Sequence, residues 1–323
     1  MPAIRLDSTL EARGIQKNLV VADPFSRPEK VGMREKLLNL IPTSREARLL
    51  TEKQHSTGEM TLNYVEGDDH GDPLVFIHGI GERWQFWSQE IGLVSHRWHA
   101  YGVDLRGHGA SSPAETGYTF ADYPRDIISF LENCINGPVV LVGHSLGAVT
   151  AIGVASARPD LVRAVLLEDP PIFVHERVGG SPRGSLFARL QEIARMEVSD
   201  AEMARLIKEA NPDQNGSDVR FRVATVKGLD PEVYTVTLNG RSMDDFDAEA
   251  RLSAIECPAL LMQADPPLGA AMTDEDGDRA ARLIPDCTLV RMRGVGHGIH
   301  RDDPVNFRRV MFDFLDTVQR DTI

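Results

Sequence analysis

The stretch VVLVGHSLGAVTA (139–151) constrains the fold of this chain more than any other. An unbroken apolar run, Val139 to Val142, enters Gly143-His144-Ser145-Leu146-Gly147, and small apolar residues continue until Arg158-Pro159. Unbroken apolarity predicts a strand buried on both faces. The small residues that follow predict a helix lying close against it, and the glycines allow a turn tight enough to join the two. A buried strand that passes straight into a helix belongs in a parallel sheet with right-handed crossovers.

The same rhythm recurs along the chain. LVFIHG (74–79), HAYGVDLRG (99–107), VRAVLLEDP (162–170), PALLMQAD (258–265) and TLVRMRGVGH (288–297) read as further strands, and MTLNYVEG (60–67) alternates like a half-buried one. YPRDIISFLENCI (123–135) sets Ile127, Phe130, Leu131, Cys134 and Ile135 on one helical face, and NFRRVMFDFLDTV (306–318) is a second amphipathic helix. The fold class expected is therefore α/β, a mostly parallel sheet flanked by helices. The rhythm fails between 172 and 253, where SLFARLQEIARMEVSDAEMARLIKEANP (185–212) reads as two helices with Ser199 capping the second, and DPEVYTVTLNG (230–240) starts a third. Three parts follow: an extension over 1–54 with a short helix in REKLLNLIP (34–42), a core over 55–171 and 254–323, and a helical insertion over 172–253.

Composition excludes several classes. A net charge of −13 argues against nucleic-acid binding and against an anionic membrane surface. No apolar run approaches a membrane span and the amino terminus lacks the apolar core of a signal peptide, so a cytoplasmic protein is expected. Cys134, Cys257 and Cys287 are too scattered for a disulfide framework or a zinc site. Oligomeric state is not legible.

Ser145, on a tight turn between strand and helix, has the setting of a nucleophile, with a helix-capping serine as the bland competitor. A serine hydroxyl needs a base within reach. His297 in GVGHGIH (294–300) is the candidate, with His300 as alternate, because it follows the last strand at the sheet edge toward which the turn points. A His-x-x-His metal site lacks a convincing set of partner ligands. An oxyanion formed at Ser145 requires fixed donors, and the backbone N–H of Leu146 and of Ile80, in His78-Gly79-Ile80-Gly81, are the candidates. His78, His108 and His144 read as structural.

Taken in order, HGIG (78–81), VDLRGHGAS (103–111), GHSLG (143–147) and GVGH (294–297) resemble the α/β-hydrolase fold superfamily over residues 58–318, with 172–253 at the position of a cap domain. The resemblance implies a serine nucleophile and a histidine base oriented by an acid. It also implies a structural role for the Asp104–His108 loop. Members commonly carry the acid after the strand that is PALLMQAD here, at the second Asp of G-D-x-D. That frame becomes Ala264-Asp265-Pro266-Pro267, and proline has no carboxylate. A variation within the superfamily puts the acid one strand earlier, and the haloalkane dehalogenases and fungal zearalenone lactonases are similar in this respect. Their position falls on Asp169, beside Glu168, and strand geometry sends those two side chains to opposite faces. Glu168, Asp265 and Asp274 stay open as alternatives. Gly79-Ile80-Gly81-Glu82 is also similar to the lactonases' oxyanion loop.

The expectation is a serine hydrolase that cleaves an ester or lactone of a mainly apolar small molecule through an acyl-enzyme, with no metal or organic cofactor. Trp84, Trp87, Phe173 and Met243 are candidates for lining a pocket beneath the insertion, against simple helix packing for the aromatics. A C–C bond hydrolase, an amide hydrolase of the iminopeptidase type, and a ligand sensor on a hydrolase fold are the alternatives.

Overall fold

A computed structural model describes residues 50–115, 117–173, 182–212 and 216–320. Eight strands form one sheet: β1 (Thr51–Ser56), β2 (Thr61–Glu66), β3 (Asp72–Ile77), β4 (Trp98–Val103), β5 (Val139–His144), β6 (Val162–Glu168), β7 (Ala259–Gln263) and β8 (Cys287–Arg291). Their spatial order is β1-β2-β4-β3-β5-β6-β7-β8. β1 and β2 pair antiparallel, as do β2 and β4, and every pairing from β4 to β8 is parallel. The predicted α/β architecture is the one observed.

Both faces of the sheet are covered. On β3, Leu74 and Phe76 join one apolar cluster with Trp87, Trp98, Met262 and Phe307, whereas Val75 and Ile77 join the other with Phe130, Leu146, Val149 and Ile152. This explains why the central strands read as continuous apolar runs. The helix Leu146–Ala157 is apolar on every side because it is buried on every side.

The structure differs from the sequence reading in where the sheet starts and in the helices of the insertion. β1 begins at Thr51, so the sheet includes residues assigned above to the amino-terminal extension; the short helix expected at 34–42 lies outside the described residues. Between β6 and β7 run the helices Pro182–Ala194, Asp200–Ala210, Gly216–Lys227, Glu232–Leu238 and Ala248–Ser253. Ser199 caps the second, its Oγ accepting from the Glu202 N–H at 3.2 Å. Gly216–Lys227 had no counterpart in the sequence reading. Among the described residues no helix is long and apolar enough to cross a membrane.

Candidate active site

β5 delivers the serine. Ser145 has φ 51° and ψ −114°, a strained conformation for a residue with a side chain. The strain persists because its surroundings permit no other path. A Cβ on Gly143 would overlap the Gly147 carbonyl, and one on Gly147 would overlap the Ile77 carbonyl, so strand and helix meet closer than any other residue allows. The Ser145 N–H continues the sheet ladder to the Glu168 carbonyl at 2.9 Å.

The hydroxyl of Ser145 lies 3.0 Å from His297 Nε2, and His297 Nδ1 lies 2.6 Å from Asp169 Oδ2. Asp169, fully buried at φ 43°, follows β6 immediately. Its Oδ2 also accepts the Ala271 N–H at 2.7 Å and its Oδ1 the Ala264 N–H at 3.3 Å. The other three carboxylates point elsewhere. Glu168 turns to the far side and accepts from the N–H and Nδ1 of His300, at 2.9 and 2.9 Å. Asp265 accepts from the Gly294 N–H at 2.8 Å, and Asp274 from Gln263 and Arg293. His300, the alternate base, packs behind the site against Trp87 with ring centroids 4.2 Å apart.

The glycine loop after β3 has its donors assigned. The Gly79 N–H reaches Glu82 Oε2 at 2.8 Å, the Gly81 N–H reaches His108 Nε2 at 3.1 Å, and the Glu82 N–H reaches the Gly79 carbonyl at 3.2 Å. Among the described residues, no acceptor takes the Ile80 N–H. Leu146 opens its helix, so its N–H has no acceptor within that helix, and the helix dipole adds partial positive charge there.

Three histidines, His78, His108 and His144, are buried around this loop, and their partners define their protonation. His78 Nδ1 faces the Gly79 carbonyl at 2.8 Å while its Nε2 accepts the Leu105 N–H at 3.0 Å, which suits a neutral ring. His108 repeats the pattern with the Arg106 carbonyl at 2.8 Å and the Gly81 N–H at 3.1 Å. Burial pushes His78 down to about 4 and, with the neighbouring His78, pushes His108 down to about 3. His144 differs: burial opposes its charge, yet the carboxylates of Glu82 and Glu168 outweigh burial and raise it. Burial would likewise raise Glu82, but Arg301 and His144 hold it well below the usual carboxylate range. Glu168 is held below that range by His300 and His144 against its own burial.

Of the expected lining residues, Trp87 and Trp84 turn away from this constellation. Trp87 is fully buried on the other side, packed on Phe76, His300 and Phe307, because the 3-10 turn Trp84–Trp87 folds back over the opposite sheet face. Trp84 donates its indole N–H to Glu52 on β1 at 2.7 Å, at the sheet edge. Phe173 is buried under the Arg279 guanidinium, 4.2 Å from its ring centroid, and Met243 packs on the core beside Phe246. Two residues of the insertion do reach the glycine loop, and the sequence reading missed both. Arg222 donates to the Gly81 carbonyl at 2.9 Å, and a Cβ on Gly81, at φ 66°, would overlap the Tyr234 hydroxyl. Among the described residues no His, Cys, Asp and Glu group could hold a metal ion.

Comparison with known proteins agrees with the geometry. A family model described as the alpha/beta hydrolase family matches residues 74–310. The chain is 39% identical over 271 residues to a 2-(acetamidomethylene)succinate hydrolase of Mesorhizobium japonicum, spanning 80% of this chain and 93% of that one. It is 29% identical over 276 residues to an N-formylmaleamate deformylase of Pseudomonas putida, spanning 81% and 95%. A solved E-2-(acetamidomethylene)succinate hydrolase superposes with a TM-score of 0.71 at 24% identity, over 83% of this chain and 100% of that one, a likeness of fold.

Proposed function

Because the chain belongs to the alpha/beta hydrolase family and is a hydrolase of that family, we propose that it works through an acyl-enzyme on Ser145. The observation that carries the reading is the unbroken line from Ser145 Oγ through His297 to Asp169, at 3.0 and 2.6 Å. In this reading His297 Nε2 takes the Ser145 proton as Oγ attacks the acyl carbon, and Asp169 stabilises the imidazolium that forms. The N–H groups of Ile80 and Leu146 receive the oxyanion. His297 then passes the proton to the leaving group, and water activated by the same ring releases the acid.

For the substrate, the relatives shift the reading from an ester or lactone toward an amide-type bond. The names of both curated relatives describe small carboxylates bearing an acylated nitrogen. Arg222 suits such an anion: one guanidinium N–H holds the Gly81 carbonyl next to Ile80, and its charge has no carboxylate partner among the described residues. We place the substrate carboxylate against Arg222 and the scissile acyl group over Ser145. The test is a panel of 2-(acetamidomethylene)succinate, N-formylmaleamate, p-nitrophenyl esters and lactones, with Ser145→Ala as control. Fastest turnover of a carboxylate-bearing amide is the expected result. Preference for neutral esters or lactones would return the reading to ester chemistry, and equal rates for wild type and Ser145→Ala would remove the serine mechanism.

A further inference from the structure

His144 stands between the glycine loop and the base, and among the described residues neither of its ring nitrogens meets a donor. Nδ1 faces Glu82 Oε2 at 3.1 Å and Nε2 faces the backbone carbonyl of His297, also at 3.1 Å. Both partners only accept, so each nitrogen must carry a hydrogen to bond them. His78 and His108 each face one acceptor and one donor and need only one. We propose that His144 is a positioning residue held as a doubly protonated imidazolium, and that it ties the oxyanion loop to the catalytic histidine through Glu82.

The tie has three ends. Glu82 Oε2 accepts both the Gly79 N–H at 2.8 Å and the His144 ring, while its Oε1 pairs with Arg301 at 3.0 Å. The far side of the ring holds the His297 carbonyl, and the residue itself precedes Ser145. One cation thus joins the chain segments that supply oxyanion donor, nucleophile and base. Its surroundings include the anions Glu82 and Glu168, the cation Arg301, and the rings of His78, His297 and His300. Glu82, His144 and Glu168 are all almost fully buried, so water is a poor substitute partner. Loss of a proton from His144 would set a nitrogen lone pair against an oxygen lone pair, releasing either Glu82 or His297. Geometry would loosen without any change in the reacting groups.

Two measurements test this, and only the second rests on the acyl-enzyme reading. In the first, the wild-type protein carrying 15N-histidine, with His144 assigned through His144→Gln, is observed by NMR at about pH 8, above the ordinary imidazole value of roughly 6.5. Protons on both ring nitrogens are expected; a singly protonated ring there overturns the proposal. In the second, pH–rate profiles for p-nitrophenyl acetate compare wild type with Glu82→Gln, which keeps the shape and removes the anion. The expected change is a new alkaline limb, kcat falling about tenfold to a hundredfold at the high-pH end with KM little altered, and recovery on acidification. A folded Glu82→Gln with the wild-type profile overturns the proposal. Should that variant not fold, the wild-type spectrum decides alone. Persistence of activity in Ser145→Ala would instead strike the acyl-enzyme reading and leave the state of His144 standing on its spectrum.

Discussion

The backbone N–H of Ala271 donates to Asp169 Oδ2 at 2.7 Å, the same oxygen that faces His297 Nδ1. The loop after β7, where the resemblance first placed the acid, here supplies donors to a carboxylate that directly follows β6. Asp169→Asn keeps the shape but offers an amide where the imidazole needs an acceptor, so kcat is expected to fall about 10³- to 10⁴-fold. Asp265→Asn, which touches only the turn at Gly294 and the Arg293 side chain, should cost less than about tenfold, within the effect of one adjusted surface hydrogen bond. Steady-state rates of the two variants on one substrate check the assignment, and a larger loss in Asp265→Asn contradicts it.

Glycine substitutions separate backbone contact from helix propensity. A Cβ at Gly147 would collide with the Ile77 carbonyl, and backbone cannot step aside as a side chain tip can. Gly147→Ala should lose about 2–3 kcal/mol of stability by overpacking. Gly92, in the helix Ser88–Val94, has open space where a Cβ would go. Gly92→Ala should gain about 0.5–1 kcal/mol. Chemical denaturation of both variants reads the contrast, and equal effects would mean that the close approach at the elbow is not rigid.

Acid stability is set first by two neutral histidines. His78 and His108 titrate near 4 and near 3 in the folded protein, below their ordinary 6.5. A group with a depressed folded value stabilises fully above its unfolded value, and that stability is lost as pH falls toward the folded one. Between about pH 6 and 4.5 the unfolded chain therefore binds roughly 1.5 to 1.8 more protons at these sites, giving a slope of about 2–2.5 kcal/mol per pH unit. His144 has the opposite sign: its raised value contributes stability that is fully present below about 6.5 and is lost only as pH rises above it. Glu82 and Glu168, held low, add to the loss only below about their ordinary 4.5. Urea titrations across this window should show a steep fall in unfolding free energy; a flat profile would mean that one or both rings are charged when folded.

Arg222 offers a test of substrate class. If its guanidinium meets a substrate carboxylate, Arg222→Ala should raise KM about 10- to 100-fold for carboxylate-bearing amides, the worth of one charge-assisted hydrogen bond. A neutral p-nitrophenyl ester serves as the control for the lost contact with the Gly81 carbonyl. Equal losses on both substrates would assign Arg222 to holding the loop alone.

Strands with two buried faces were legible because nothing polar interrupts them, and the nucleophile turn because glycine is needed on both sides of Ser145. The contact between Asp169 and His297 was legible through a defect, Pro267 at the position where a carboxylate was due. β1 was not, since TEKQHS lies almost wholly exposed and is held by its ladder to β2, which leaves no hydrophobic pattern to read. Trp87 was misplaced because closeness in sequence to the glycine loop does not say over which face a 3-10 turn will fold. The pair Glu82–His144 spans two motifs 62 residues apart. Its only trace in the sequence is an ionisable residue set in each of two stretches otherwise apolar or rich in glycine.

β5 and β6 pair His144 with Glu168, so the two strands end in facing dipeptides, His144-Ser145 and Glu168-Asp169. Both faces of β6 are apolar, so hydrophobic pattern alone guards its register weakly. Loss of Arg163 would be taken up by the bulge at that residue, whereas deleting one residue of β6 beyond the bulge would draw Asp169 opposite His144 and Pro170 opposite Ser145, taking the carboxylate away from His297. Inserting one would bring Glu168 to that place, a carboxylate longer by one methylene. Length changes beyond the bulge are therefore unequal in consequence: a shortened strand sets a proline where His297 meets a carboxylate, while a lengthened one still offers a carboxylate there.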